Sequence, residues 1–361
     1  MNRKNSYLLA GGLGIALALA GCSGGGSTPG GDDAGDGGTG ASGKLVIATW
    51  GGAFTEATQQ NLVEAFTAET GIEVQIVDAP GTQAAQMQSM VDAGDVQWDI
   101  LDALSAADAY FMNSQDLLEP LEGELRDAVV EQVGEDRVSD FGFSFANLGY
   151  VVICNMDAVE ACPETVADFF DTEKFPGNRM YPGESYGPSS AVLLEALGKD
   201  ADEVEIGELA DELRLIKDSV SVWWTSGDQQ DQALRQGEAD MAIARSGRAY
   251  TLVDEGLNIQ VNWAGIYDPG FTAIAKDAPN RENADLYMEW LAGNAEAQAG
   301  FAEQIQYSVP NPRAFDLMDP KVAERLADYP ANFEKLGQQD FDWYLQNKTE
   351  IDEALRSVIQ G

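Results

Sequence analysis

Residues 44 to 77, KLVIATWGGAFTEATQQNLVEAFTAETGIEVQIV, decide the fold. Residues 44–49 are a short apolar run with β-branched members, the composition of a buried strand. Trp50-Gly51-Gly52 makes a turn. Residues 55–70 then repeat at helical spacing, with Leu62, Val63 and Phe66 on one face, and Gly71 stops them. Residues 72–77 form a second strand. The alternation continues with a helix over 82–93, carrying Met87 and Met90 on one side and stopped by Gly94, and a third strand over 98–101. This strand-helix order predicts a parallel sheet covered by helices. Ligands of such sheets sit beyond the carboxyl ends of the strands. Here those ends are Trp50 with Gly51-Gly52, and the stretch from Asp102 to Ser105. Asp102 reads as a solvated cap beyond an apolar strand.

Working outward, 148–153 is a strongly apolar strand (LGYVVI). Helices are expected over 190–197, 206–217 and 228–236, with strands over 221–224 and 239–244. Strands over 261–267 and 271–275 lead to helices over 281–291 and 295–305. Helical patterns dominate from residue 320 to the end. Two α/β lobes suit this pattern and length better than one. The chain contains no internal repeat.

The chain has 361 residues, 21 Lys and Arg against 61 Asp and Glu, no His and a formal charge of −40. Without His there is no Ser-His-Asp triad, no Cys-His pair and no His-liganded zinc. The acidity argues against nucleic acid and anionic membrane surfaces as partners, since each phosphate contact needs a local cation. It is the composition of a very soluble protein, or of one adapted to high salt. No metal site and no cofactor is expected.

The first residues are an address. Arg3 and Lys4 precede a glycine-broken hydrophobic stretch over 7–20, shorter than the ~20 residues that span a bilayer and suited to a signal-peptide core. Leu19-Ala20-Gly21-Cys22 resembles a bacterial lipobox, in which cleavage before the Cys leaves it lipidated. Residues 1–21 are therefore expected to be the leader, Cys22 the lipidated residue, and 22–43 a Gly-, Ser- and Asp-rich flexible tether. Gly38 to Leu45 nearly spells a phosphate loop, but Leu45 replaces the required Ser or Thr and no strand precedes it. Of the remaining thiols, Cys154 and Cys162 are more often paired than free in an exported chain, with closure through the turn between them. Two buried reduced thiols are the alternative.

The ordered set of Trp50, Glu69-Thr70-Gly71-Ile72-Glu73-Val74, Trp98-Asp99-Ile100, Leu117-Leu118-Glu119-Pro120-Leu121, residues 149–155, Ala167 to Gly177, Gly237-Glu238-Ala239-Asp240-Met241 and Tyr307 to Pro312 resembles the extracellular solute-binding proteins of ABC importers. The similarity is greatest to the spermidine/putrescine-binding (polyamine) branch. No single piece is specific; their order is. The resemblance implies a type II periplasmic-binding-protein-like fold, two α/β lobes with a hinge and a central ligand cleft. Lobe 1 would comprise 44–152 plus 268–310, lobe 2 would comprise 153–267, and 311–361 would be helices bracing both. The strand over 148–153 would lead into one crossing and 263–270 would form the other.

The resemblance also carries site expectations. Aromatic walls and carboxylates hold amines in polyamine binders. Trp50 matches a wall position and Glu184 an acidic one. Gly51, Phe54, Ser105, Tyr186 and Trp224 complete the expected lining, with one of the pair Trp223 and Trp224 facing the cleft and the other the core. Two positions depart from the branch. Arg245 stands where an aromatic is usual, and Gly270 where the central amine-binding aspartate falls, so Asp268 would substitute. Arg245 offers a fork for a carboxylate, unless it pairs with Asp240 or Glu238.

The resulting expectation is a lipid-anchored binding protein on the outer face of the cell membrane. It would be a monomer, capturing a small solute for a permease without transforming it. A polyamine is the first expectation for the solute, and a carboxylate-bearing amine, an amino-acid derivative or opine-like compound, the second. The readings from other classes are a secreted hydrolase using two carboxylates and a sensor lipoprotein.

Overall fold

In the computed structural model, residues 43–183 and 187–361 are described. The expected leader, Cys22, the tether up to residue 42, and Glu184 and Tyr186 lie outside the described residues. Eleven strands are present among those described: β1 (Lys44–Thr49), β2 (Glu73–Asp78), β3 (Ile100–Ser105), β4 (Gly142–Ser144), β5 (Leu148–Asn155), β6 (Arg179–Pro182), β7 (Val220–Trp224), β8 (Met241–Arg245), β9 (Ile259–Asp268), β10 (Gly270–Ile274) and β11 (Leu336–Gly337). They form a five-stranded sheet, β2-β1-β3-β10-β4, and a six-stranded sheet, β11-β9-β5-β8-β6-β7.

Sequence alternation explains the first sheet. β1 pairs in parallel with β2 and β3, and β10 runs antiparallel between β3 and β4. Leu45 and Ile47 pack on one face with Phe66 and Tyr287, while Val46 and Ala48 pack on the other with Met87 and Met112. Period-two alternation sends neighbouring side chains to opposite faces, and both faces are covered. The helix after β1 begins three residues earlier than expected, at Gly52, and continues through a π turn at Thr58–Val63 to Thr70, where Gly71 ends it at φ 75°.

The second sheet is mixed. β5 lies antiparallel between β8 and β9, and β6 runs parallel to β7 and β8. Val151, Ile153, Phe169, Leu213, Ile243 and Leu252 form part of its core. Cys154 at the end of β5 is disulfide-bonded to Cys162, with the Cα atoms 5.7 Å apart.

Three placements differ from the sequence expectations. β5 lies wholly in the second sheet, so the chain passes between the sheets just before it, at 145–147, rather than after residue 152. The second passage is Pro269, between β9 and β10. Asp102 is no solvated cap: β3 continues past it to Ser105, and the side chain is fully buried, with Oδ1 accepting from Thr272 at 2.8 Å. The region after residue 320 is less helical than expected. Two single-turn helices and β11 precede one long helix, Phe341–Gln360.

At the passage, Gly270 has a packing role. A Cβ there would stand 2.3 Å from the Phe145 carbonyl oxygen, so the two connecting strands approach each other only because residue 270 has no side chain.

Candidate functional site

Four strand ends feed helices that start around one cavity. β1 leads into Trp50 and Gly51, β3 ends at Ser105, β7 leads into Thr225 and Ser226, and β8 ends at Arg245; the helices Gly52–Ala57, Ala106–Ser114, Gly227–Gln236 and Ser246–Asp254 follow. The cavity between the sheets measures about 640 Å³ and is lined by residues of both. Free backbone N–H groups at helix starts favour negative charge there.

Trp50 is fixed by its indole N–H, which donates to the Ala103 carbonyl. Ser105 caps its helix: its hydroxyl accepts from the Asp108 N–H at 3.1 Å and donates to Asp108 Oδ2 at 2.9 Å. Phe54 lies at the cavity floor, edge-on to Phe301 at 5.3 Å.

Arg245 is the central cation. Its backbone is tied to the Gln230 side chain at both ends, by 3.1 and 3.2 Å hydrogen bonds. The guanidinium lies 5.2 Å from the Trp224 ring, 5.4 Å from Trp50 and 5.9 Å from Tyr150, and Nε donates to the Tyr150 hydroxyl at 3.4 Å. This is a three-walled aromatic cage around a permanently charged group. Among the described residues it makes no ion pair. Asp240, one of the expected structural partners, instead accepts from the Asn178 N–H at 2.8 Å.

The same cavity wall carries two carboxylates without an ion-pair partner among the described residues, Asp108 and Asp268. Asp268 is buried and accepts from Gln339 at 3.0 Å. Burial raises its pKa from 3.8 to about 6, against the opposing effects of Gln339 and Arg245. Burial likewise raises that of Asp108, against Ser105 and Lys348. A second arginine on the wall, Arg248, already pairs with Asp228 at 2.9 Å and Asp231 at 2.8 Å.

The structure thus brings Trp50, Gly51, Phe54, Ser105, Arg245 and Asp268 to one cavity. Trp224 is a correction. It is 2% exposed, its indole donates to the Ile243 carbonyl at 3.0 Å, and it stacks on Tyr150, so it stands behind Arg245 as support rather than on the wall. Gly270 also lines the cavity, with no room for a side chain. Sequence reasoning missed Asp108, Tyr150, Arg248 and Tyr307, all on the wall. The signals were present: Asp108 follows a Ser at capping distance, and Tyr307 opens one of the segments that carry the resemblance.

Comparison with known proteins gives a consistent assignment. Residues 61–333 match the family model for bacterial extracellular solute-binding proteins. The γ-aminobutyric acid-binding protein of Pseudomonas aeruginosa is 26% identical over 321 residues, 87% of this chain and 90% of that protein. The spermidine/putrescine-binding periplasmic protein of Escherichia coli is 24% identical over 304 residues, 77% of this chain and 81% of that protein. The solved structure of the Atu4243-GABA receptor superposes with a TM-score of 0.79 at 30% identity, covering 88% of this chain and 97% of that one. With relatives on both the aminobutyrate and polyamine sides, the similarity reaches beyond a polyamine branch. The fold is the periplasmic-binding-protein-like one, with two mixed α/β sheets, and the chain belongs to the bacterial extracellular solute-binding proteins, which bind small solutes for ABC transporters and are not enzymes.

Proposed function

We propose that this protein captures a small solute bearing both a carboxylate and an amine, and presents it to the permease of an ABC importer. The observation that carries the reading is Arg245, a caged cation with no ion-pair partner among the described residues, in a cavity whose wall also holds Asp108 and Asp268. Its fork, next to the start of the helix Ser246–Asp254, suits a carboxylate. The two acids suit an amine. The name of the Pseudomonas relative agrees with such a ligand.

A polyamine fits less well. The guanidinium already occupies the aromatic cage in which an amine would sit, and like charges repel at close range. The position of the branch's amine-binding aspartate falls on Gly270, where there is no room for a side chain.

Capture works by closure. The halves organised by the two sheets move as lobes about the passages at 145–147 and Pro269, and solute touching both favours the closed form by its differential affinity. The protein acts as a monomer held to the outer face of the membrane by lipid on Cys22.

Calorimetry with γ-aminobutyrate, putrescine and spermidine, on the wild type and Arg245→Ala, tests the ligand. Truncating one partner of a buried charged hydrogen bond removes roughly 2–5 kcal/mol, so the variant should lose at least about thirtyfold in affinity for γ-aminobutyrate. Tighter binding of putrescine, unchanged in Arg245→Ala, would reject the reading.

A further inference from the structure

The charges of the inner cavity do not balance. Among the described residues of its wall, Arg245, Asp108 and Asp268 have no ion-pair partner; Asp268 is buried, and Asp108 and Arg245 are half-buried. The other acids there are compensated differently. Asp228 pairs with Arg248, which also binds Asp231 outside the wall. Asp78 is exposed and accepts from the Thr55 hydroxyl at 2.6 Å.

The two unpaired acids receive hydrogen bonds from neutral groups, the Ser105 hydroxyl for Asp108 and the Gln339 amide for Asp268. Lys348, the cation acting on Asp108 from outside the wall, is itself bound to Asp352 at 2.6 Å. Arg245 acts on Asp268. Among the described residues of the wall, the groups without an ion pair number one cation against two carboxylates. The carboxylates come from different halves, Asp108 from the helix after β3 and Asp268 from the end of β9.

A ligand carboxylate on Arg245 uses the one cation of the wall that has no ion pair among the described residues. Two unpaired acids then remain among those residues, and a single amine satisfies one of them. An unpaired buried carboxylate is strongly unfavourable and takes up a proton instead. Burial is the main cause of the upward pKa shifts of both acids, and for Asp268 the nearby Asp108 adds to it.

We propose that the solute is a diamino acid, one carboxylate with two cationic nitrogens, of the size of ornithine or lysine. The carboxylate sits on Arg245 and the two nitrogens on Asp108 and Asp268. This rests on the reading of Arg245 as the carboxylate anchor. At about 30 Å³ per heavy atom, the share of a water in the liquid, such a molecule fills on the order of 300 Å³, which the cavity of about 640 Å³ accommodates.

The test compares ornithine, lysine and γ-aminobutyrate by calorimetry on the intact protein at pH 7. At least one of the two diamino acids should bind at least about tenfold more tightly than γ-aminobutyrate, and Asp108→Asn or Asp268→Asn should bring that ratio close to one. On the wild type at pH 6, buffers of different ionisation enthalpy should show the diamino acid releasing more protons than γ-aminobutyrate does. That measurement needs no variant to fold. If γ-aminobutyrate binds as tightly as both diamino acids while Arg245→Ala still weakens it, the diamino assignment is overturned and the carboxylate anchor stands. If Arg245→Ala changes nothing, or none of the three binds, both fall together.

Discussion

Tyr307 lies so close to Gly247 that a Cβ at residue 247 would stand 2.5 Å from two of its ring carbons. Gly247 belongs to the helix that follows β8 of the six-stranded sheet. Tyr307 belongs to the apolar cluster around the five-stranded sheet, 6.4 Å from Phe54. The pair therefore joins the two halves of the molecule two residues from Arg245. The Gln306 carbonyl stands at the same 2.5 Å, so backbone as well as ring closes the gap.

Gly247→Val is expected to hold the halves apart. Overpacking of a fitted contact costs ~1–3 kcal/mol, and opening the cleft relieves it. Ligand affinity should fall about tenfold, with a small change in unfolding midpoint, because opening relieves the clash with Tyr307 and the Gln306 carbonyl. Small-angle scattering with saturating ligand should give a larger radius of gyration than the wild type. Undiminished affinity would show that residue 247 has no part in closure.

Asp102 should make the protein less stable at neutral pH than in mild acid. Its pKa rises from 3.8 to about 6, chiefly through burial, against hydrogen bonds from Thr272 and the Ala103 N–H, while Oδ2 has no partner among the described residues. The folded state therefore binds the proton more tightly than the unfolded one. Stability is full below about pH 4 for this group and declines as pH rises towards 6, by on the order of 2–3 kcal/mol. Asp268 contributes with the same sign. Urea unfolding of the wild type and Asp102→Asn across this range checks it. An equally steep decline in both proteins would refute the assignment to Asp102.

The sequence makes the strand-helix alternation plain because its period changes from two to near 3.6 at Trp50-Gly51. The strands it hid are short or carry misleading residues. β6 is Arg-Met-Tyr-Pro, which reads as a loop, yet Arg179 is fully buried. Its guanidinium is satisfied by the carbonyls of Phe169 at 2.8 Å, Phe175 at 2.6 Å and Gly177 at 3.0 Å, partners that only folding brings near. At the cavity, Trp50 was legible because it follows a strand end, and Arg245 because it stands where the polyamine branch usually has an aromatic. Tyr150 was not, because an aromatic within LGYVVI looks like core. Trp224 was misread because alternation along a strand separates two faces without telling which one meets the ligand.

The Cys154–Cys162 disulfide closes a short loop at the end of β5. On the chain-entropy model a loop of this length stabilises by about 2.5 kcal/mol. The paired substitution Cys154→Ser with Cys162→Ser should lower the unfolding free energy by roughly that amount while leaving ligand affinity intact, since the loop lies away from the cavity wall. Measured in denaturant, a loss much below 1 kcal/mol would mean that the unfolded chain already keeps this turn.

The net charge of −40 gives the last prediction. So large an imbalance repels itself most in the compact state. The Debye length shrinks from about 10 Å at 0.1 M salt to about 3 Å at 1 M, so the thermal midpoint should rise steadily with sodium chloride. The surface ion pairs oppose this only weakly. Arg126–Glu135 and Arg235–Glu255, both at 2.7 Å, have at least one partner well exposed, and pairs of that kind contribute ~0–1 kcal/mol each before screening. Sodium chloride and potassium chloride should act alike if screening is the cause. A midpoint that is flat or falls between 0.1 and 1 M would show that the acidic surface is already neutralised locally, and that self-repulsion does not limit the stability of this fold.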